Sequence, residues 1–135
     1  MPVKSDTTLR EVLEYDTIAV VGCSNSPGKA AHDIPKYLQS HGYRIVPVNP
    51  FADEILGEPT YDSLADVEAE IDVVDVFRPS EEVAGIVDEA LARDDVKVIW
   101  TQLGIRDDDA AKKAEDAGIQ FVQDKCMKVE HARLV

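Results

Sequence analysis

Segment 17–29, Thr-Ile-Ala-Val-Val-Gly-Cys-Ser-Asn-Ser-Pro-Gly-Lys, limits the possible folds of this chain more than any other stretch. Its apolar run, 18–21, stops at Gly22. A small polar loop with Pro27 and Gly28 follows, and a helical pattern begins beyond it. A strand that passes through a glycine turn into a helix gathers backbone N–H groups at the positive end of that helix. This suits the phosphates of a nucleotide-like ligand. The details exclude two common forms. A dinucleotide fingerprint begun at Gly22 needs glycines at 24 and 27, where the chain has Ser24 and Pro27. A mononucleotide P-loop needs four residues between its glycines and a hydroxyl after the lysine; here five residues separate Gly22 from Gly28, and Ala30 follows Lys29. A typical NAD site also ends its second strand on an acid, and this chain has Asn49 there.

Strand and helix signals alternate along the rest of the chain. Thr8 and Glu11 have capping-box spacing and, with Leu9, Val12 and Leu13, predict a lead-in helix over about 7–15. Strands are predicted at 18–21, 44–48, 72–77, 96–100 and 119–122. After the first strand, Ile34, Tyr37, Leu38 and His41 share a helix face, with Asp33 near the cap, Pro35 in the first turn and Gly42 as the stop. A short helix is expected near 63–67. Another opens at Ser80 with apolar positions 83, 86, 87, 90 and 91, and a third runs from 107–109 to Gly118. Near-continuous Val/Ile strands between amphipathic helices define an α/β protein: a three-layer, Rossmann-like, doubly wound sheet of about five parallel strands. The expected strand order is 3-2-1-4-5, in one domain spanning 1–135. Ligands of such sheets sit beyond the carboxyl ends of the strands, so 22–26, 48–50, 77–80 and 100–104 should line one crevice.

Asp and Glu number 27 against 14 Lys and Arg, a net charge of −13. That field repels nucleic acid and anionic membranes, both of which need a basic footprint. The acids are spread along the chain, which reads as a surface adapted to high salt in a halophile; an ordinary acidic surface is the alternative. No apolar stretch approaches a membrane span and no apolar signal core opens the chain, so a soluble, cytoplasmic protein is expected. Cys23 and Cys126 lack Cys-x-x-Cys spacing and read as small buried hydrophobes, although Cys23 lies in the loop that should hold the ligand. His32, His41 and His131 have no metal-ligand spacing. Trp100 reads as core, and Asp75, inside the third strand, as structural. No nucleophile–base pair is evident, so catalysis is not expected.

Val20-Val-Gly22 with its loop, 42–50 (Gly-Tyr-Arg-Ile-Val-Pro-Val-Asn-Pro), 54–57 (Glu-Ile-Leu-Gly), 73–79 (Val-Val-Asp-Val-Phe-Arg-Pro), 100–105 (Trp-Thr-Gln-Leu-Gly-Ile) and 124–126 (Asp-Lys-Cys) stand in a specific order. In these motifs the chain resembles the single-domain CoA-binding proteins, whose Rossmann-like fold is that of the nucleotide domain in the succinyl-CoA synthetase alpha subunit. The resemblance spans about 14–131. It implies coenzyme A or an acyl-CoA in the crevice. Gly22, Cys23, Ser24, Asn25, Ser26 and Lys29 then match the phosphate-loop region, and Asn49 and Pro50 the turn after strand two. Phe77, Arg78 and Pro79 match the turn after strand three, and Thr101, Gln102 and Gly104 the turn after strand four. Lys29 and Arg78 are phosphate ligands or solvated charges, and Asn49 a ribose or base contact or a turn cap.

The resemblance carries no catalytic activity with it. The synthetase's phosphohistidine domain is expected to be missing, and a homo-oligomer or a synthetase-like partner subunit is possible. An NAD(P)-binding oxidoreductase-like protein or a component of an acyl-CoA synthetase complex is the alternative.

If the acidic surface is a high-salt adaptation, raising KCl from about 0.1 M to about 2 M screens self-repulsion and should raise the melting temperature. Thermal unfolding followed by circular dichroism checks this. A flat or falling melting temperature would favour the ordinary acidic surface.

Overall fold

In the computed structural model, which describes residues 2–135, strands and helices alternate as the hydrophobic pattern requires. Helix α1 (Asp6–Val12) leads into β1 (Thr17–Val21), α2 (Ala30–Ser40) and β2 (Arg44–Val48). A small hairpin of β3 (Glu54–Ile55) and β4 (Glu58–Pro59) and a 3-10 turn (Leu64–Asp66) precede β5 (Val73–Val76). A second 3-10 turn (Ser80–Glu82) opens α3 (Val83–Leu91); then come β6 (Val98–Thr101), α4 (Asp108–Asp116), β7 (Gln120–Val122) and α5 (Met127–Leu134).

Five strands form one parallel sheet in the order β2-β1-β5-β6-β7. Alternate side chains of each strand enter two separate cores, as period-two geometry demands. Ala19, Val46, Val74, Ile99 and Phe121 meet α3, α4 and the 3-10 turn at 64–66. Ile18, Val20, Ile45, Val73 and Trp100 meet α1, α2 and α5. This is the expected three-layer doubly wound class.

The strand order differs from the expected 3-2-1-4-5. Counting only the sheet's strands in chain order, it is 2-1-3-4-5, because β5 pairs directly with β1. The reason is the face taken by the β2–β5 connection. Leu64, Val67 and Ile71 pack with α3 and α4, opposite the face covered by α2. A right-handed crossover on that face has to travel back past β1. Arg93 fastens the connection there: its guanidinium donates to the carbonyls of Leu64, Val67 and Ala69 at 2.8–3.0 Å and pairs with Asp95 at 2.8 Å.

Local differences have local causes. Helix α1 starts one residue before the expected 7, where the Ser5 hydroxyl caps it by accepting from the Thr8 N–H at 3.2 Å, and it ends at Val12 rather than near 15. Pro35 lies inside α2, beyond the first turn. Both sheet edges are covered, which blunts edge-to-edge pairing. Tyr61 bridges alongside β2, and the Val3 N–H donates to the Phe121 carbonyl of β7 at 2.8 Å.

Helix α5 docks against the end of α2 through rings. The Tyr37 hydroxyl and His131 Nδ1 are 2.9 Å apart, and His41 lies against His131 with ring centroids 5.0 Å apart. Burial, with His41 beside it, holds His131 below its usual imidazole range. The folded state therefore resists a proton that the unfolded chain accepts, so stability should fall as pH drops below about 6.5. Denaturant unfolding at pH 7 and pH 5 tests this: the stability advantage of wild type over His131→Asn should shrink at the lower pH, and a constant advantage would contradict it.

Candidate functional site

The register levels the strand ends. Val21 of β1 stands opposite Val48 of β2 and Val76 of β5, and Val76 opposite Thr101 of β6. Connections leave β1 and β5 over opposite faces, so the chain divides between these strands. This is where doubly wound sheets open a crevice. A cavity of about 390 Å³ lies here, lined by Gly22, Asn49, Phe51, Ser63, Arg78 and Glu82 among others. That volume is within the usual range of small-molecule sites.

Gly22 takes a φ of +88°, and a Cβ on it would come within 2.7 Å of Arg78 Cδ and 3.3 Å of the Phe77 carbonyl carbon. Only glycine meets both demands. The loop that follows is held by groups the sequence supplies one by one. Pro35 has no N–H to offer the Ala31 carbonyl one turn back. That carbonyl instead accepts the Ser24 N–H at 3.0 Å, so the proline docks the loop onto α2. His32 Nδ1 meets the Ser24 carbonyl at 2.9 Å, and the Ser26 N–H donates to the Ser24 hydroxyl at 3.1 Å. Asn49 Nδ2 donates to the Cys23 carbonyl at 2.9 Å while its Oδ1 accepts the Phe51 N–H, tying the loops after β1 and β2 together.

Asn25, Ser26 and Lys29 are exposed, with Lys29 at the cap position of α2. Lys29 makes no ion pair among the described residues. Pro50 and Pro79 are exposed on the adjoining turns. Phe77 is half-buried and packs toward the α1 and α2 side of the sheet. Arg78 lays its stem over Gly22 and points its guanidinium at Glu82, with Nε and Nη2 at 3.2 and 2.8 Å from the two carboxylate oxygens. The Glu82 partnership raises the guanidinium's proton affinity, and the Arg78 pair lowers that of Glu82.

The turn after β6 is built differently. Thr101 is buried, donating to the Ile105 carbonyl at 2.7 Å and accepting the Asp124 N–H. Gly104 has a φ of +85° and donates to Asp124 Oδ1 at 2.6 Å. Gln102 is buried: its Nε2 donates to Asp75 Oδ1 at 2.5 Å, and its Oε1 accepts the Met127 N–H at the start of α5. Thr101, Gln102 and Gly104 thus brace the turn from behind, and none of them lines the cavity between β1 and β5. Cys23 is also buried, and desolvation, with Asp75 nearby, pushes its thiol up to about 12, which makes it a poor nucleophile.

Sequence reasoning passed over Phe51, which is 95% exposed at the mouth of the cavity, and Glu82, whose pairing with Arg78 follows from their i, i+4 spacing. A larger cavity, about 730 Å³, lies between the N-terminal segment and α4. Its charged side chains pair with each other, Arg106 with Asp108 and Lys112 with Asp116, and it lies away from the β1 turn, so the smaller crevice is the better candidate. Among the described residues no group of three or more His, Cys, Asp or Glu could hold a metal ion, and no helix is long and apolar enough to cross a membrane.

Parallel strands, a glycine turn into a helix and a crevice at the division of the sheet define a Rossmann-like, doubly wound α/β module. The chain belongs to the CoA binding domain family, which matches residues 16–132. It is 39% identical over 129 residues to the uncharacterized protein YneT of Bacillus subtilis, covering 95% of each chain. It superposes on a hypothetical protein from Pyrococcus horikoshii with a TM-score of 0.93 at 39% identity, covering 99% of this chain and 96% of that one. It is also 33% identical over 84 residues to an ADP-forming acetate–CoA ligase of Methanocaldococcus jannaschii. That match takes in 62% of this chain but only 12% of the ligase.

Asp75 generates a test of the buried support. It is fully buried, Oδ2 has no hydrogen-bond partner among the described residues, and desolvation pushes its carboxyl up to about 7 from 3.8. The folded state then holds a proton that the unfolded chain releases, so this group costs stability as pH rises from about 4 to about 7. Asp75→Asn removes the titration, and its stability relative to wild type should improve across that range in denaturant unfolding. A pH-independent difference would show that the carboxyl titrates at its ordinary value.

Proposed function

We propose that this chain binds coenzyme A or an acyl-CoA at the carboxyl ends of β1, β2 and β5, as a binding protein without catalysis of its own. The observation that carries the reading is the β1–α2 turn of a CoA-binding-family chain, pinned open by Gly22, Pro35 and Asn49 beside the cavity. In this reading, the uncommitted ammonium of Lys29 and the first-turn N–H groups of α2 take phosphate groups, since the N–H groups of Gly22, Ser24, Ser26, Gly28 and Lys29 are held by Val48, Ala31, Ser24, Asp33 and Ser26. Arg78 stands over Gly22 at the turn after β5. Phe51, exposed at its mouth, offers a flat apolar surface to the ligand's ring. The raised thiol of Cys23 and the bracing roles of Thr101 and Gln102 remove three candidate groups from chemistry at the crevice, which favours binding over catalysis.

A second reading is favoured by the ligase of Methanocaldococcus jannaschii: the chain would be the CoA-binding component of an acyl-CoA synthetase assembly, its partner supplying the chemistry. Acyl-CoA turnover by the chain mixed with a synthetase-like subunit, and not by the chain alone, would support it.

Calorimetry with coenzyme A, dephospho-CoA and NADH tests the main proposal. Coenzyme A should bind most tightly, and tighter NADH binding would overturn the reading in favour of an oxidoreductase-like site. Lys29→Ala and Arg78→Ala should each weaken coenzyme A about tenfold while leaving circular dichroism unchanged, as both side chains are exposed. Unchanged affinity in both would assign the phosphates to backbone N–H groups alone.

A further inference from the structure

We infer that Glu82 is a built-in competitor at the crevice: its carboxylate occupies the Arg78 guanidinium in the place of a ligand phosphate, and a ligand binds there by displacing it. The inference rests on the coenzyme A reading and adds what a ligand must displace to reach that site.

Three observations carry it. First, the pair sits in the crevice itself, since Arg78 and Glu82 both line the cavity. The carboxylate engages the guanidinium through both oxygens, at 2.8 and 3.2 Å, in the forked geometry that a phosphate would use. Second, the stem of Arg78 packs over Gly22, which places the guanidinium beside the turn where the crevice opens. Third, Glu82 has somewhere to go. It is 44% exposed and sits at the cap position of α3, where water and the positive helix end accept a free carboxylate.

Exchange of one anion for another has a cost. Every ligand that reaches Arg78 must first displace Glu82, so the same amount is taken from each, and the pair lowers affinity without reordering ligands. A phosphate monoester near neutral pH brings almost two negative charges, against one for a phosphodiester, and replaces the carboxylate more completely. Exposed pairs are weak, so the exchange lowers affinity without blocking binding.

A double-mutant cycle by calorimetry tests the inference, with wild type, Glu82→Gln, Arg78→Ala and the double variant titrated with coenzyme A, dephospho-CoA and inorganic pyrophosphate. Glu82→Gln should tighten coenzyme A about fivefold and dephospho-CoA by no more than that, so that the preference between them is kept or widens. With Arg78 already removed, Glu82→Gln should change nothing. An equal gain with and without Arg78 would mean that only net charge was altered and would overturn the inference, as would unchanged or weaker binding in Glu82→Gln. Wild type that fails to bind coenzyme A would overturn the functional reading instead. Pyrophosphate then decides the inference: its binding should rise in Glu82→Gln only when Arg78 is present, and no such rise sinks it.

Discussion

Strand β1 is hydrogen-bonded along both edges, to β2 and to β5, and covered on both faces, by α2 on one and by the β2–β5 connection on the other. A strand in that position must be apolar throughout, and Ile18, Ala19 and Val20 are fully buried. It also cannot end gradually. The chain must leave the sheet in one residue, between two neighbours that end at the same level, and Gly22 does so at a φ of +88°. The crevice follows from that exit. Its floor is the β1 end, its walls are the turns after β2 and β5, and its position is fixed by the face that each connection takes.

How much of this could be read from the chain depended on how local each cause was. Hydrophobic periodicity located the five sheet strands and four of the helices because those signals are short-range. Strand order was not local. Whether Leu64, Val67 and Ile71 join the α2 face or the α3 face depends on Arg93, roughly 25 residues further on, and no pattern inside 49–72 records that contact. Helix α5 escaped for a different reason. Met127–Leu134 has little amphipathic contrast, and the helix is held by specific contacts: Gln102 to the Met127 N–H, His131 to Tyr37, and Arg133 to Asp6. The tiny β3–β4 hairpin has two residues per strand, too few for any period to show.

At the candidate site, residue type was legible and partnership was not. The loop after β1 announced itself through Gly22, Ser24 and Ser26; Gly22 lines the cavity, while Ser24 and Ser26 hold the loop to itself and to α2 without lining it. Pro35 was visible too, but its effect was not: a missing N–H in α2 frees the Ala31 carbonyl for Ser24 in the preceding loop. Thr101, Gln102 and Gly104 stand at the right strand end, yet their polar atoms are spent on Ile105, Asp75, Met127 and Asp124. A polar residue at a strand end has two possible uses, lining a site or supporting it, and only burial separates them.

Charge sets the last condition on this crevice. The chain carries −13, and Asp62, Glu82 and Glu89 all line the cavity beside the single cation Arg78. Long-range electrostatics therefore opposes any polyanion approaching this face, whatever its identity. In the proposed reading, attraction comes from groups that act at contact range: first-turn N–H groups of α2, Lys29 at the head of that helix, and Arg78 once its carboxylate is exchanged. Contact hydrogen bonds survive high salt, whereas the opposing field is screened within about 3 Å at 1 M. An acidic shell around a site of directional donors is thus self-consistent only where salt is abundant or affinity need not be high. In dilute buffer the same shell would slow the arrival of an anion more than it would weaken its grip once seated, since steering acts on approach and hydrogen bonds act on residence.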